Sequence, residues 1–434
     1  MTPMTSSRAR AELFRYSGLE VTATTLVGRF ELGERRFVET VTFEDVGELR
    51  GPVVRAVAEL WYLVAGLSYY KAGAARRIDV GTTPLGVHGR KLLEAALHEG
   101  LGEFAYRNET PLDDVIIVGG LDVEPLDTQV DIERILTPFG GGIDSVVTVT
   151  ELNPALDQAL FIVSPAGGRF TPLERTATVT GLEIVRATRS LDHQILEGDE
   201  TFFNGHVPVT AMVSLLASVA ALATGRGGVV MSNEHSASAG NLLWRDVMVN
   251  HQWSKSFDAE VLISDAIAER VGDEFQIASF LRDRSELWVA QVFSEHERFH
   301  HVFRSCNRAF TQSSESRADQ WCGECDKCLF INLILAPFLS REALREIFHH
   351  EPLSDPARED QLRSLVGIGI DHKPFECVGD PDESAVALIK VSELAQWSDV
   401  PALGELARLA SPDRDFEELL TRQGPSRVPT HWLR

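Results

Sequence analysis

A run of three glycines closes one apolar segment and opens another. Ile135-Leu136-Thr137-Pro138-Phe139 reads as a buried strand, Gly140-Gly141-Gly142 turns the chain, and Ile143-Asp144-Ser145-Val146-Val147 opens an apolar helix. Glycines let backbone amides approach an anion without a Cβ in the way, and the helix N-terminus adds a favourable dipole. Ser145 can donate its hydroxyl to a phosphate oxygen, and Asp144 can hold a magnesium ion. The run is neither G-x-x-x-x-G-K-[ST] nor G-x-G-x-x-G. Taken alone, it also satisfies what a tight strand-to-helix turn requires.

The flanking pattern predicts an α/β fold built on a parallel sheet. Strands are expected at 114–120, 135–139, 159–165, 182–188 and 228–233, with helices at 172–180, 207–224, 256–271 and 285–299. Upstream, residues 21–43 alternate as two strands with a turn at Gly33-Glu34, and 53–74 read as a helix carrying Trp61-Tyr62 and Tyr69-Tyr70. A chain of 434 residues has length for about three domains. The pattern divides it into an α+β part (1–128), the glycine-loop α/β part (129–300), a cysteine knuckle (301–340) and a helical C-terminal region (341–434).

Four of the five cysteines carry that knuckle: Cys306, Cys322, Cys325 and Cys328, spaced C-x15-C-x2-C-x2-C. Four thiolates so spaced can close a tetrahedral structural zinc site. An iron–sulfur cluster and a set of inert buried thiols are the alternatives. Clustered cysteines and an N-terminus without an apolar signal region place the chain in the cytoplasm. Residues 207–224 carry no charge, but Thr210, Ser214, Ser218 and many alanines mark a buried helix rather than a membrane span. With 41 Lys plus Arg against 64 Asp plus Glu, the net charge of −23 argues against non-specific nucleic-acid binding.

Polar loops at strand ends are where open α/β sheets bind ligands. Here they are Asn204-Gly205-His206, residues 232–241 and residues 250–256. Lys255 supplies a cation for phosphate, and His251 and His235 are candidates for proton transfer. His296-Glu297-Arg298-Phe299-His300 matches H-E-x-x-H, the zinc-peptidase pattern. No third ligand stands at a usual distance, since His349 and His350 lie beyond the cysteines. With His301 next to it, the match reads as a solvated, His-rich helix end.

The glycine run resembles the S-G-G-x-D-S signature of PP-loop ATP pyrophosphatases, with Gly140 where that signature has serine. The order of parts is also similar to 7-cyano-7-deazaguanine synthase, a shorter PP-loop enzyme without the N-terminal region. Over nearly the whole length, L-V-A-G-L-S-Y-Y-K-A (63–72), F-G-G-G-I-D-S, N-E-H-S-A-S-A-G-N, N-H-Q-W-S-K-S and W-C-G-E-C-D-K-C resemble the UDP-N-acetylmuramoyl-L-alanyl-L-glutamate epimerase family. That resemblance implies a PP-loop enzyme that uses ATP and Mg2+ to convert the terminal L-Glu of the UDP-N-acetylmuramoyl dipeptide to D-Glu, releasing AMP and diphosphate. It implies that Gly140, Gly141, Gly142 and Ser145 cradle diphosphate, that Asp144 binds magnesium, and that the four cysteines hold structural zinc. Lys255, His251 and His235 would serve leaving-group stabilisation and proton transfer. No nucleic acid and no membrane enters the scheme.

Overall fold

The computed structural model describes residues 8–309, 320–369 and 373–434. Twelve strands occur among them: β1 (Leu13–Val21), β2 (Thr25–Leu32), β3 (Arg35–Glu44), β4 (Arg77–Asp79), β5 (Ile116–Val118), β6 (Asp131–Pro138), β7 (Asp157–Pro165), β8 (Glu183–Ser190), β9 (Arg226–Met231), β10 (Leu242–Trp244), β11 (Val247–Val249) and β12 (Gln276–Ser279). Ten of these form one sheet in the order β12-β9-β6-β7-β8-β3-β2-β1-β4-β5, and β10 pairs with β11 apart from it.

From β12 to β8 every pairing is parallel. The chain places β7 and β8 on one side of β6 and then returns to lay β9 and β12 on the other. The order therefore reverses between β6 and β9, and the C-terminal ends of those strands border the crevice where doubly wound sheets take ligands. Side chains alternate across this sheet, as a strand buried on both faces demands. In β7, Ala159 and Phe161 join one core and Leu160 and Ile162 the other. The first core packs under helices Pro52–Ala65, Val87–His98, Val209–Ala223 and Phe257–Val271. The second packs under Ile143–Glu151, Thr171–Thr180, Glu286–Ser294 and Asp326–Leu335, with the C-terminal helices behind.

The uncharged stretch is the buried helix Val209–Ala223, and no helix of the described residues is long and apolar enough to cross a membrane. Hydroxyls that would strain such a helix bond back one turn, Ser214 to the Thr210 carbonyl (2.8 Å) and Ser218 to the Ser214 carbonyl (2.9 Å).

The N-terminal meander differs from the two strands expected at 21–43. β2 and β3 turn at Gly33-Glu34, and β1 precedes them from Leu13. A register shift between Tyr16 and Gly18 breaks the alternation in β1, which hides the strand from a period-two reading. On the inward face Phe30 stacks on Tyr62 and Tyr69, at 5.1 and 4.8 Å between centroids. β3 then pairs antiparallel with β8, so one sheet runs from the N-terminal part into the glycine-loop part.

A buried ion pair sits at that seam. Arg189 Nε of β8 lies 2.6 Å from Glu39 Oε1 of β3, and Glu39 has no exposed surface. Arg189→Leu leaves that carboxylate buried and unpaired, so stability should fall by about 3–5 kcal/mol in urea unfolding. Adding Glu39→Gln in the same chain should recover part of the loss.

Candidate active site

β6 carries the glycine turn into the crevice. The Phe139 amide donates to the Phe161 carbonyl (2.9 Å), fixing where the turn begins. Gly141 holds φ +73°, the left-handed region, and a Cβ there would stand 3.3 Å from the Leu173 Cα. At Gly142 a Cβ would displace the Ser305 hydroxyl (2.5 Å). At Gly140 a Cβ would meet nothing within 4 Å, so the position where the PP-loop signature has serine has room for one. Gly142 caps helix Ile143–Glu151 with no side chain on its first amides. Those amides and the helix dipole are free for an anion.

Gly140, Gly142, Asp144, Ser145 and Lys255 line one crevice of about 430 Å³ between β6 and β9. Gly141 lies behind it, shaping the turn. The crevice also takes Lys327 and Cys377, two groups that sequence reasoning left unassigned. Around Asp144 the carboxylates Glu234 and Glu286 converge. Burial and then the Glu234 charge raise the Asp144 carboxyl, against the pull of Lys327 and Lys255. Glu286 is pushed well above the ordinary range by burial, Asp144 and Glu234. Glu234 goes the other way: burial opposes its charge, but Lys255, a backbone hydrogen bond, Lys327 and Arg282 outweigh it. Asp144 Oδ1 and Glu286 Oε2 are buried with no hydrogen-bond partner among the described residues. Carboxylate oxygens left without a hydrogen-bond partner are the donor type that a divalent cation such as magnesium takes.

Next to this cluster stands a chain of three groups. Cys377 Sγ lies 4.0 Å from His251 Nε2, and His251 Nδ1 lies 2.5 Å from Glu103 Oε2. Burial works against the charge on His251, but Cys377 and Glu103 raise its pKa to about 9. Burial also opposes the Cys377 thiolate, yet Lys255, the hydrogen bond to His251 and Lys327 bring the thiol down to about 6. The ring of His206 packs on His251 at 4.3 Å, and burial with the His251 charge lowers it to about 4. Asn241 locks this arrangement. Its Oδ1 accepts from the His251 amide (2.7 Å), while its Nδ2 donates to the Pro374 carbonyl (2.8 Å).

The Sγ atoms of Cys306, Cys322, Cys325 and Cys328 all lie within 4.8 Å of one another. The pairs Cys322–Cys328 and Cys325–Cys328 stand at 3.7 and 3.4 Å. Four sulfurs on one zinc at the usual bond length stand about 3.8 Å apart, so the donor set fits that ion. The knuckle adjoins the crevice. Lys327 sits between two of the cysteines, and the Arg304 amide, two residues before Cys306, donates to the Gly141 carbonyl (3.0 Å).

Two histidine expectations end elsewhere. His235 stands outside the crevice, within 3 Å of the space above Gly424, and burial with Arg414 and Arg282 lowers its pKa. The H-E-x-x-H match does not lie on a helix, because helix Glu286–Ser294 ends before it and Glu297–Phe299 is a single 3-10 turn. His296 Nε2 meets Thr150 Oγ1 (3.1 Å), whereas His300 is buried, with Nε2 at the Phe293 carbonyl (3.3 Å). They share no metal site, and His300 is not the solvated end expected.

These features define an α/β protein with a charged ligand crevice at the switch point of a doubly wound sheet. The model for the MurL N-terminal domain matches residues 5–280, and that for the MurL C-terminal domain matches residues 302–418. Relatives from Salinispora tropica, Micromonospora sp. and Xanthomonas oryzae pv. oryzae are each named UDP-N-acetyl-alpha-D-muramoyl-L-alanyl-L-glutamate epimerase. They are 37%, 38% and 34% identical, over 92%, 92% and 93% of this chain and 89%, 90% and 91% of their own lengths. No solved structure is significantly similar. The chain belongs to the MurL family of epimerases and is an isomerase.

The glycine geometry gives a paired expectation. Gly141→Ala forces a Cβ into the left-handed region and should cost about 1–2 kcal/mol in chemical unfolding. Gly140→Ser should change stability by less than about 0.5 kcal/mol.

Proposed function

We propose that the protein converts the terminal L-Glu of UDP-N-acetylmuramoyl-L-Ala-L-Glu to D-Glu in the cytoplasm, activating that carboxylate with ATP and releasing AMP and diphosphate. The relatives' names supply the substrate. The observation that carries the activation step is the single crevice where a glycine turn with free helix amides meets Asp144, Lys255 and Lys327.

The chemistry explains why an isomerase would need ATP. The Cα proton beside a carboxylate is poorly acidic, because the neighbouring group is already an anion. An acyl adenylate removes that charge and makes the carbonyl an electron sink. Because the Glu nitrogen is acylated by Ala, the activated carboxyl can also close to an oxazolone, whose Cα proton is more acidic still. Water then restores the carboxylate with its configuration reset.

In this scheme the amides of the Gly140–Gly142 turn and Ser145 hold the phosphates, and Asp144 would hold magnesium, with the charges of Glu234 and Glu286 adding to the negative field there. Magnesium, when bound, neutralises phosphate charge and orients the α-phosphate for attack. Lys255 and Lys327 receive the charge that develops on departing diphosphate. Zinc in the knuckle would have no open coordination position, so its part is to hold Ser305, Lys327 and the turn in place.

Diphosphate release with ATP, Mg2+ and the muramoyl dipeptide, followed by chiral analysis of the hydrolysed glutamate, tests the reading. Diphosphate and D-Glu that appear together only with the dipeptide support it; diphosphate without D-Glu refutes the substrate, and neither product refutes the reaction. Asp144→Asn should lower diphosphate release by about 100-fold or more. The same variant should be at least as stable as the parent, since the fold raises this carboxyl and its charge costs stability above the unfolded pKa. Cys325→Ser should lose bound zinc by elemental analysis and lower the melting temperature together.

A further inference from the structure

We propose that Cys377, held at the crevice wall by His251 and Glu103, is the group that takes the proton from Cα of the activated glutamate. The proposal rests on the adenylation reading above and assigns its unfilled step.

Epimerisation needs a base that can reach Cα beside the phosphate site. Lys255 is held as an ammonium group by the anions around it and has no lone pair to offer, and Lys327 is assigned to the phosphates in the reading above. Asp144, Glu234 and Glu286 belong to the cation-binding side. His235 stands outside the crevice, and His251 is engaged on both ring nitrogens, by Glu103 and Cys377. Among the described residues lining the crevice, Cys377 is the remaining group that can accept a proton.

The segment around Cys377 is held by three side chains from other parts of the fold. Asn241 Nδ2 donates to the Pro374 carbonyl (2.8 Å), Gln252 Nε2 to the Val378 carbonyl (3.1 Å), and Asn307 Nδ2 to Glu376 Oε2 (2.8 Å). Glu103 in turn fixes His251, and Arg107 braces Glu103 at 2.5 Å. A nucleophile or base next to a histidine, itself oriented by a carboxylate, is the arrangement that keeps a thiolate available. The charged groups around Sγ are Lys255, Lys327 and His251 on the cationic side. Asp144, Glu234 and Glu286 oppose them, with Lys373 on the same segment. The balance leaves the thiolate in the majority at neutral pH, close to the match with working pH that proton transfer favours.

The step balances without a further reagent. Sγ takes the Cα proton, and the C–H electron pair moves onto the activated carbonyl as an enolate. Water protonates the opposite face, and the thiol returns its proton to water.

Cys377→Ala and Cys377→Ser are compared with the parent in D2O, following diphosphate release, deuterium at Cα and D-Glu in the same samples. Exchange and D-Glu should fall roughly 100-fold or more, with diphosphate release falling less than about 10-fold. Cα exchange within about 10-fold of the parent overturns the assignment, as does equal loss of both reactions. An acyl group trapped on Sγ after denaturation also overturns it, making Cys377 a nucleophile. If the parent exchanges Cα through Cys377 but releases no diphosphate, the adenylation reading fails and the proton-transfer assignment stands.

A second readout needs no turnover. Iodoacetamide labelling mapped by mass should modify Cys377 with a midpoint near pH 6, and His251→Ala should move that midpoint up. A midpoint at the ordinary thiol value in the parent overturns the pairing on which the proposal stands.

Discussion

One backbone hydrogen bond, from the Arg304 amide to the Gly141 carbonyl (3.0 Å), ties the glycine turn to the segment that the cysteines clip. Thr176 Oγ1 reinforces it by donating to the Val302 carbonyl (2.8 Å). A Cβ at Gly141 would press on the Leu173 backbone (3.3 Å) in a left-handed conformation, and one at Gly142 would overlap the Ser305 hydroxyl (2.5 Å). The turn is therefore held in place beside the crevice that Gly140 and Gly142 line. A metal site closed to chemistry would thus set the geometry of a site several residues away, acting through Cys306 on one side and Lys327 on the other.

The same crevice gathers charge that the fold would be more stable without. Asp144 is raised by burial and by Glu234, Glu286 by burial, Asp144 and Glu234, and each keeps an oxygen unbonded among the described residues. Burying carboxylates together costs stability unless a partner compensates. Lys255 and Lys327 offset part of that cost, and the remainder is what a cation and a nucleotide would relieve. Ion pairs elsewhere, such as Glu39 with Arg189, are satisfied within the chain. That contrast separates a structural charge from one held for a ligand.

Features confined to a short window were legible from sequence. The glycine turn, the four-cysteine spacing, the buried helix at 209–223 and the parallel strand pattern each depend on residues close in the chain. β12 escaped notice because its four residues are too few to show a period. Lys327 was hidden inside a motif read only for its metal ligands. Glu234 sits in a loop scanned for histidines, and Glu286 in the first turn of a helix, where an acidic residue is ordinary. Cys377 stood apart from the other cysteines and had no neighbours in sequence to mark it. H-E-x-x-H failed for the opposite reason, since the local pattern is present but the helix that would give it meaning ends at Ser294.

The two sides of the crevice therefore differ in origin. The side proposed for phosphate is built from one junction, residues 138–145, plus lysines brought close by the fold. The side bearing Cys377 takes Glu103 from the N-terminal part, His251 from the loop after β11, and the thiol from the C-terminal region. Asn241 bonds at once to the His251 amide and to the Pro374 carbonyl of the segment that carries Cys377. A glycine turn on a parallel sheet could meet a nucleotide without either flanking region. Placing an oriented thiolate beside it requires both, joined through the seam of β3 with β8 and the packing of the C-terminal helices. The proposed order of chemistry, activation and then proton exchange, would map onto that division: the motif-like half would serve carboxylate activation, and the long-range half inversion at Cα.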